Sequence, residues 1–368
     1  MTDPRVKRMA EVLVNHSLGL QPGDLVVINS STLAGDLVRE VYRSALGVGA
    51  YPVVQTQLPG LSEILLTEGS DVQLETLSPV ESMLNERANA ELRIIAEDNT
   101  KALSGVPAER LNRFAAARKS LRQNRMQRAA EGDLRWSLTL FPTQAHAQDA
   151  QMSLSDYREF VFEACYLNDP DPVARWRDLS ARQARMIEWL NPRRNVHVSA
   201  PGTDLRLSIE SRTWNNSDGK RNFPSGEVFT GPIEDSVEGH IRFTFPATIQ
   251  GHEVAGVELR FEAGKVIDAS AERNEEFFTR MLDTDSGARR VGEFAFGTNE
   301  GIQQFTGNTL YDEKIGGTIH LALGAGYPDT GSTNVSAIHQ DMVCDLRQDG
   351  EVRIDGDVFL KHGRYLTD

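Results

Sequence analysis

The sequence changes character at the segment NPRR, residues 191–194. Before it, apolar runs of strand length alternate with longer stretches of helical periodicity. Beyond it, short alternating segments are separated by turns of Gly, Pro, Asn and Asp. A chain of 368 residues also exceeds the usual size of one hydrophobic core. We therefore predict an N-terminal domain over residues 1–191 and a C-terminal domain over residues 192–368.

The N-terminal part begins with the pattern of a βαβ unit. The run LVVI at residues 25–28 reads as a strand, residues 36–49 place apolar side chains on one helical face, and YPVV at residues 51–54 reads as the next strand. Such a unit predicts an α/β domain with a mainly parallel sheet. Residues 30–35 lack the glycine pattern of a dinucleotide site, so we interpret this domain as a scaffold.

The rest of the N-terminal part is expected to be mostly helical. We predict helices over residues 80–130, with a break near 104–107, and over residues 153–190, with a break near 168–172. A strand is predicted between them, over residues 133–140. The basic side chains at residues 110–128 could bind a polyanion, but a solvated helix face or a subunit contact is the favoured interpretation.

The C-terminal part has the alternation of an antiparallel, β-rich domain. The segments DLRLSI (204–209), IRFTF (241–245) and VELRF (257–261) each place apolar side chains on one face. One helix is expected to interrupt them, from residue 272 to 282. The expected fold class is thus an α/β domain followed by a β-rich domain of α+β type.

The formal net charge of -14 argues against nucleic acid or an anionic membrane as the main partner. The sequence has no apolar run of 18 residues, so we expect no membrane span. Its first eight residues lack the apolar core of a secretory signal, so a cytoplasmic location is expected.

Five side chains in the C-terminal part stand where metal ligands could stand. His339 and Asp341 are two apart on an expected strand, so they share one face. His320 lies between apolar neighbours, and Glu227 and Glu293 each follow a glycine and precede an apolar run with an aromatic residue. Each of them alone also fits an ordinary role, such as a hydrogen-bonded core histidine or a salt-bridged glutamate.

The five donors together suit divalent cations such as Zn, Mn or Co. Their three carboxylates carry a charge of -3, so one divalent ion would leave the cluster at -1 and two would leave it at +1. A small positive excess suits a site that binds hydroxide and stabilises an oxyanion. The charges therefore favour two metal ions, provided that the five side chains converge.

Longer segments around these residues resemble the M29 metallopeptidases, the aminopeptidase T and aminopeptidase S group. The segments are NFPSGEVFT (222–230), VGE (291–293), DEKIGGTIHLALG (312–324), Tyr327 and NVSAIHQD (334–341). Weaker similarity at residues 141–147, 171–176 and 202–205 extends the resemblance over most of the chain.

The resemblance implies a dinuclear aminopeptidase that cleaves peptides with a free N-terminus, has an enclosed cavity and forms a homodimer. The metal ligands that it implies are Glu227, Glu293, His320, His339 and Asp341. The catalytic pair that it implies is Glu293, which takes a proton from the attacking water, and Tyr327, which donates a hydrogen bond to the oxyanion. The chain departs from many relatives at Gly226, where they have a second Glu, and its loop over residues 328–335 is shorter than in some.

Two other functions remain open from the sequence. Some relatives resemble ring-cleaving dioxygenases with one Fe(II), and His320, His339 and Asp341 could supply such a ligand set. Both glutamates are present, which favours hydrolysis with two metals. The chain could also be a binding protein without turnover, although all five ligand positions are intact.

Overall fold

The structure is a computed structural model that describes residues 3–249 and 252–366. Its α-helices are α1 (Pro4–Val12), α2 (Gly35–Gly47), α3 (Leu61–Glu68), α4 (Asp71–Glu75), α5 (Pro79–Arg87), α6 (Ala108–Ala117), α7 (Lys119–Glu131), α8 (Gln144–Asp149), α9 (Leu154–Ala164), α10 (Pro172–Leu190), α11 (Glu275–Leu282) and α12 (Thr309–Asp312). Among the described residues, no helix is long and apolar enough to cross a bilayer.

The strands are short in the second half of the chain, as the sequence predicts. They are β1 (Leu25–Ser31), β2 (Tyr51–Gln57), β3 (Ala90–Ile95), β4 (Arg135–Leu140), β5 (Asn195–Ala200), β6 (Thr203–Ser208), β7 (Asn215–Ser217), β8 (Asn222–Phe223), β9 (Glu227–Thr230), β10 (Glu238–Arg242), β11 (Ala247–Ile249), β12 (His252–Val254), β13 (Glu258–Glu262), β14 (Lys265–Ser270), β15 (Val291–Gly297), β16 (Thr318–Gly324), β17 (His339–Asp345), β18 (Glu351–Ile354), β19 (Asp357–Lys361) and β20 (Arg364–Tyr365).

The chain divides into two compact units. The first unit contains the chain up to Arg175 together with Gly219–Phe223, and the second contains Trp176–Asp218 and the chain from Pro224 onward. The boundary near residue 192 that the sequence suggests for two folding domains stays a prediction.

The first unit is built on a parallel sheet with the strand order β2-β1-β3-β4-β8. Its first crossover, β1-α2-β2, is the βαβ unit that the sequence predicts. Helix α2 buries Leu37, Val38, Val41 and Ala45, which recur at the helical period. The predicted α/β character of this part is confirmed.

The expected all-helical stretch over residues 80–130 is wrong at β3. This strand lies between β1 and β4 and buries Ala90, Leu92 and Ile94. Its sequence AELRII is rich in good helix formers, but pairing with two neighbouring strands outweighs a propensity difference of a few tenths of a kcal/mol per residue. The breaks near residues 104–107 and 168–172 are where helices end or begin.

The second unit contains two larger antiparallel sheets. One has eight strands in the order β14-β13-β10-β6-β5-β18-β19-β20, and the other, which we call the site sheet, has the order β17-β16-β15-β9-β7. Their apolar side chains form one core with Met186 and Leu190 of α10. The predicted β-rich character of this part is confirmed, and its interrupting helix is α11.

The two faces of the site sheet differ sharply. One face is in the core and carries Val228, Phe294, Ile319, Leu321 and Met342. Because side chains alternate along a strand, the residues between them point to the opposite face. That opposite face, which we call the site face, holds the candidate metal ligands.

Candidate metal centre

All five predicted ligands lie on the site face, on four neighbouring strands. Glu227 is the first residue of β9, Glu293 lies near the start of β15, and His320 is in β16. His339 and Asp341 are the first and third residues of β17. Strands far apart in sequence therefore bring together the residues that the sequence singles out.

Alanines give the larger side chains room to meet. Across three strands, Glu293 pairs with Ala322 and Ala322 pairs with Asp341, so the two carboxylates face each other above a methyl group. His320 pairs in a similar way with Ala295 of the neighbouring strand β15. A larger side chain at either alanine would occupy the space into which the ligands reach.

A β-bulge orients Glu293. The register of β15 against β16 shifts between Val291 and Glu293, so Gly292 lies at the irregularity. A side chain at Gly292 would meet the carbonyl oxygen of Ala325 at 2.3 Å. A bulge of this kind redirects the following side chain, and glycine allows the close backbone approach that the bulge needs.

His339 is held in the orientation of a metal-binding histidine. Its Nδ1 donates to the carbonyl oxygen of Ala325 over 2.7 Å, which leaves Nε2 facing the cluster. Nε2 lies 3.2 Å from Oε2 of Glu293 and 3.6 Å from Oδ1 of Asp341. Such a backbone acceptor fixes the tautomer and the ring direction of a ligand histidine.

His320 forms a second group with the two glutamates. Its Nε2 is 3.5 Å from Oε2 of Glu227 and 3.5 Å from Oε1 of Glu293. The backbone carbonyl of Glu227 accepts a hydrogen bond from the buried side chain of Gln183, which anchors the start of β9. Glu293 thus belongs to both groups, with one oxygen directed to each imidazole.

Several polar atoms of this cluster are buried without a hydrogen-bond partner in the described residues. They are both ring nitrogens of His320, Oε2 of Glu227 and Oδ1 of Asp341. Unpaired buried polar atoms are costly, and Nε2 of His320 and Oε2 of Glu227, which lie 3.5 Å apart, need a common partner. Nitrogen and carboxylate oxygen donors of this kind fit a divalent transition metal.

The spacing of the donors agrees with this interpretation. The four nitrogen–oxygen separations are between 3.2 and 3.6 Å. Two ligands at the usual ~2.1 Å from a tetrahedral zinc ion are roughly 3.4 Å apart. The residues therefore fit a metal, both in chemistry and in spacing.

The carboxylates of the cluster favour protonation of both imidazoles, and the imidazoles favour ionisation of Glu293. Burial opposes the ionisation of Glu293, yet His320 and His339 outweigh it and lower the pKa of Glu293 to about 2. Burial likewise opposes the charge on His339, but Glu293 and Asp341 raise its pKa to about 9. The pKa of His320 is raised by the same carboxylates against the effect of burial. A cluster that favours positive charge in this way is suited to divalent ions, whose binding releases the protons from the imidazoles.

Tyr327 lies beside the cluster. Its ring centroid is 5.2 Å from that of His339 and 5.4 Å from that of Phe229. Burial, and then the negative charges of Glu293 and Asp341, raise the pKa of the phenol. Tyr327 therefore stays protonated at neutral pH and can donate a hydrogen bond.

Glu313 and Lys314 also belong to this region, and the sequence reasoning missed them. A carboxylate oxygen of Glu313 forms a third potential ligand group with His320 and Asp341. Lys314 is fully buried and forms ion pairs with Glu313 and Glu227. A signal was present, because three charged residues, DEK at 312–314, lie only three residues before the fully buried strand β16.

Comparison with known proteins identifies relatives over nearly the whole chain. The chain is 30% identical to aminopeptidase 2 of Geobacillus stearothermophilus over 95% of this chain and 94% of that protein. The solved structure of wild-type AmpT from Thermus thermophilus superposes with a TM-score of 0.85 at 25% identity, over 99% of each chain. The structure of 2,5-dihydroxypyridine dioxygenase from Pseudomonas putida KT2440 gives a TM-score of 0.62 at 13% identity, over 100% of this chain and 99% of that one, which is a likeness of fold alone.

The family profile described as thermophilic metalloprotease (M29) matches residues 2–364, nearly the whole chain. This match confirms the resemblance that the motifs indicate, and with it the prediction of a metal-dependent hydrolase acting on peptide bonds. The chain belongs to the M29 family of metalloproteases.

Proposed function

We propose that this chain is an aminopeptidase whose site face holds two divalent cations, Zn, Co or Mn. The observation that carries the proposal is the pair of ligand groups that share Glu293. One group is Glu227, Glu293 and His320, and the other is Glu293, His339 and Asp341. A carboxylate common to two such groups would help to hold both ions.

The charge of the region supports two ions rather than one. Glu227, Glu293 and Asp341 contribute -3, and Glu313 and Lys314 cancel each other. Two divalent cations would bring the region to +1, which favours binding of an anionic tetrahedral intermediate. One cation would leave it at -1.

Cleavage at a free N-terminus is supported by the relatives, since aminopeptidase 2 is a relative over nearly the full length of both chains. We infer that the substrates are peptides with an unblocked amino group. The acidic side chains of the site face suit a cationic ammonium group on the substrate.

Glu293 and Tyr327 carry the chemical roles of the chain itself in this proposal. Bound divalent cations supply Lewis acidity toward a carbonyl and lower the pKa of water. The Glu293 carboxylate accepts the proton of the attacking water and returns it to the leaving amine. The Tyr327 hydroxyl donates to the oxygen of the scissile carbonyl as negative charge develops there.

A metal count combined with a blocked substrate tests the proposal. The purified chain is stripped with a chelator and reloaded with Co, Mn or Zn, and bound metal and turnover of leucyl-p-nitroanilide are measured together. We expect two ions per chain and activity that appears with the metal. N-acetyl-leucyl-p-nitroanilide should not be cleaved, and its cleavage at a similar rate would rule out an aminopeptidase.

The same measurement decides between hydrolysis and the dioxygenase alternative. A single oxygen-sensitive iron per chain, with no peptide cleavage, would favour a mononuclear centre made of His320, His339 and Asp341. The homodimer and the cytoplasmic location that the sequence suggests stay predictions.

A further inference from the structure

Lys314 is a fully buried lysine next to the candidate metal centre. It lies between α12 and β16, and its side chain has no exposed surface. Its amide donates to the carbonyl of Tyr311 over 3.0 Å, and its own carbonyl accepts from the amide of Asn299 over 3.1 Å. A buried ammonium group is unfavourable unless it is paired, so its position calls for a physical reason.

The two carboxylate oxygens of Glu227 have different surroundings. Oε1 lies 3.3 Å from Nζ of Lys314. Oε2 is buried without a hydrogen-bond partner and lies 3.5 Å from Nε2 of His320. The ammonium group therefore occupies one oxygen and leaves the other directed into the cluster.

Glu313 holds Lys314 from the other side. Its Oε1 forms a close ion pair with Nζ, so the ammonium group lies between two carboxylates. Both carboxylates reach toward His320, because each belongs to a ligand group that includes it. Without the cation between them, these two like charges would repel each other in a buried place.

We propose that Lys314 is a positioning residue that fixes Glu227 as a one-oxygen ligand of the ion shared with Glu293 and His320. The proposal rests on the dinuclear centre proposed above.

The effects of orientation and of charge on metal affinity have opposite signs here. An ammonium group repels a nearby cation, so a role of charge alone predicts tighter metal binding when it is removed. A positioning role predicts weaker binding.

The test is the Lys314→Met variant of the full chain, because methionine is similar in length but has no charge and no donor. Cobalt binding to the chelator-stripped protein is followed by equilibrium dialysis with metal analysis and by the absorption spectrum of bound Co(II). We expect one of the two ions to bind about 10- to 100-fold more weakly, as is usual when a group that orients a metal ligand is lost. The other ion should bind as in the unmodified chain.

The identity of the weakened ion gives a second readout. His339→Ala should weaken the ion held by Glu293 and Asp341, and the combination with Lys314→Met should weaken both. If Lys314→Met binds both ions unchanged or more tightly, the positioning role is wrong. If the unmodified chain binds only one ion, the dinuclear centre fails first, and the two failures are thereby distinguished.

Two further variants provide a second test, in case Lys314→Met does not fold, and a control. Glu313→Gln removes the second anchor of the ammonium group while preserving shape, and it should weaken the same ion by a smaller factor. Lys361→Met is the matched control, because Lys361 is exposed and forms a 2.9 Å ion pair with Glu351 in the same unit. It should leave both ions unaffected. If Lys314→Met does not fold, unchanged cobalt binding by Glu313→Gln overturns the proposal.

Discussion

The parallel sheet of the first unit and the site sheet of the second are both five-stranded, yet they offer different places for chemistry. In β1 of the parallel sheet, Val26, Val27 and Ile28 are all buried, so both faces are covered there. Its polar side chains come at the strand end, where the hydroxyls of Ser30 and Ser31 donate to backbone carbonyls. In the site sheet one face is apolar, and the other is also buried at β15 and β16 but carries the polar side chains of Glu293 and His320.

The difference shows what an antiparallel sheet with one polar face can do. Four adjacent strands can each place one or two polar side chains on that face, and their separation is set by the strand spacing of about 4.8 Å. The five candidate ligands, between residues 227 and 341, thus all lie on strands and not on loops. In β1 of the parallel sheet, by contrast, apolar side chains occupy both faces.

The largest expected effect follows from changing the residue common to both ligand groups. Glu293→Gln keeps the shape of the side chain but removes its charge and its capacity to accept a proton. We expect turnover to fall by roughly 10⁴-fold, the upper range for loss of a general base. The measurement is steady-state kinetics, with a thermal melt to show that the fold persists.

Phe294, the next residue along β15, points to the core face instead of the site face and is fully buried. A change at Phe294 should therefore affect stability, whereas the change at Glu293 affects turnover. Phe294→Ala should destabilise the second unit by about 3–5 kcal/mol. Near-complete activity in Glu293→Gln would remove that glutamate from the proposed mechanism.

Tyr327→Phe removes one hydroxyl from the edge of the site face. Loss of an oxyanion donor should lower kcat by roughly 10²-fold, or about 3 kcal/mol, while KM changes little. The ring contacts with Phe229 and His339 are retained, so stability should not change. An unchanged kcat would show that the hydroxyl does not contact the transition state.

Ala322→Val tests whether the site face depends on small residues. The added methyl groups would enter the space between Glu293 and Asp341, and we expect metal affinity to fall about 10-fold. Ala90→Val in β3 is the matched change in the parallel sheet. It should cost about 1–3 kcal/mol of stability through overpacking and leave metal affinity unchanged. Equal metal affinity in the two variants would show that the site face does not depend on the small size of Ala322.

A pH dependence of stability is expected from Asp312, which precedes β16. Burial raises its pKa to about 7 from an ordinary 3.8, although hydrogen bonds from Thr306 lower it. The folded state therefore binds the proton more tightly than the unfolded state. The resulting stabilisation is complete below pH 3.8 and is lost as the pH rises to about 7.

Asp312→Asn should abolish this dependence. At about 1.4 kcal/mol per pKa unit, the unmodified chain should lose a few kcal/mol relative to the variant between pH ~4 and ~7. Denaturant unfolding across this range, compared between the two proteins, gives the difference directly. Parallel curves for both would show that Asp312 is ionised in the folded state throughout.

Local sequence patterns were sufficient to predict the parallel βαβ start, the β-rich second half and the five candidate ligands. The patterns did not reveal β3, because its strand identity comes from pairing with β1 and β4 rather than from its own residues. They also could not show that Glu293 and Asp341 meet above Ala322, since that depends on strand register. Lys314 was missed because its partner Glu227 is distant in sequence.

Gly226, which precedes Glu227, has a consequence for engineering. Its φ is +116°, and a side chain there would meet Cβ of Asn299 at 2.7 Å. A glutamate therefore cannot be introduced at this position without a change of the local backbone. An exchange of Asn299 alone would not make room, because its backbone nitrogen and Cα also lie within 3.2 Å of such a side chain, so any residue other than glycine at position 226 needs a different backbone path into β9.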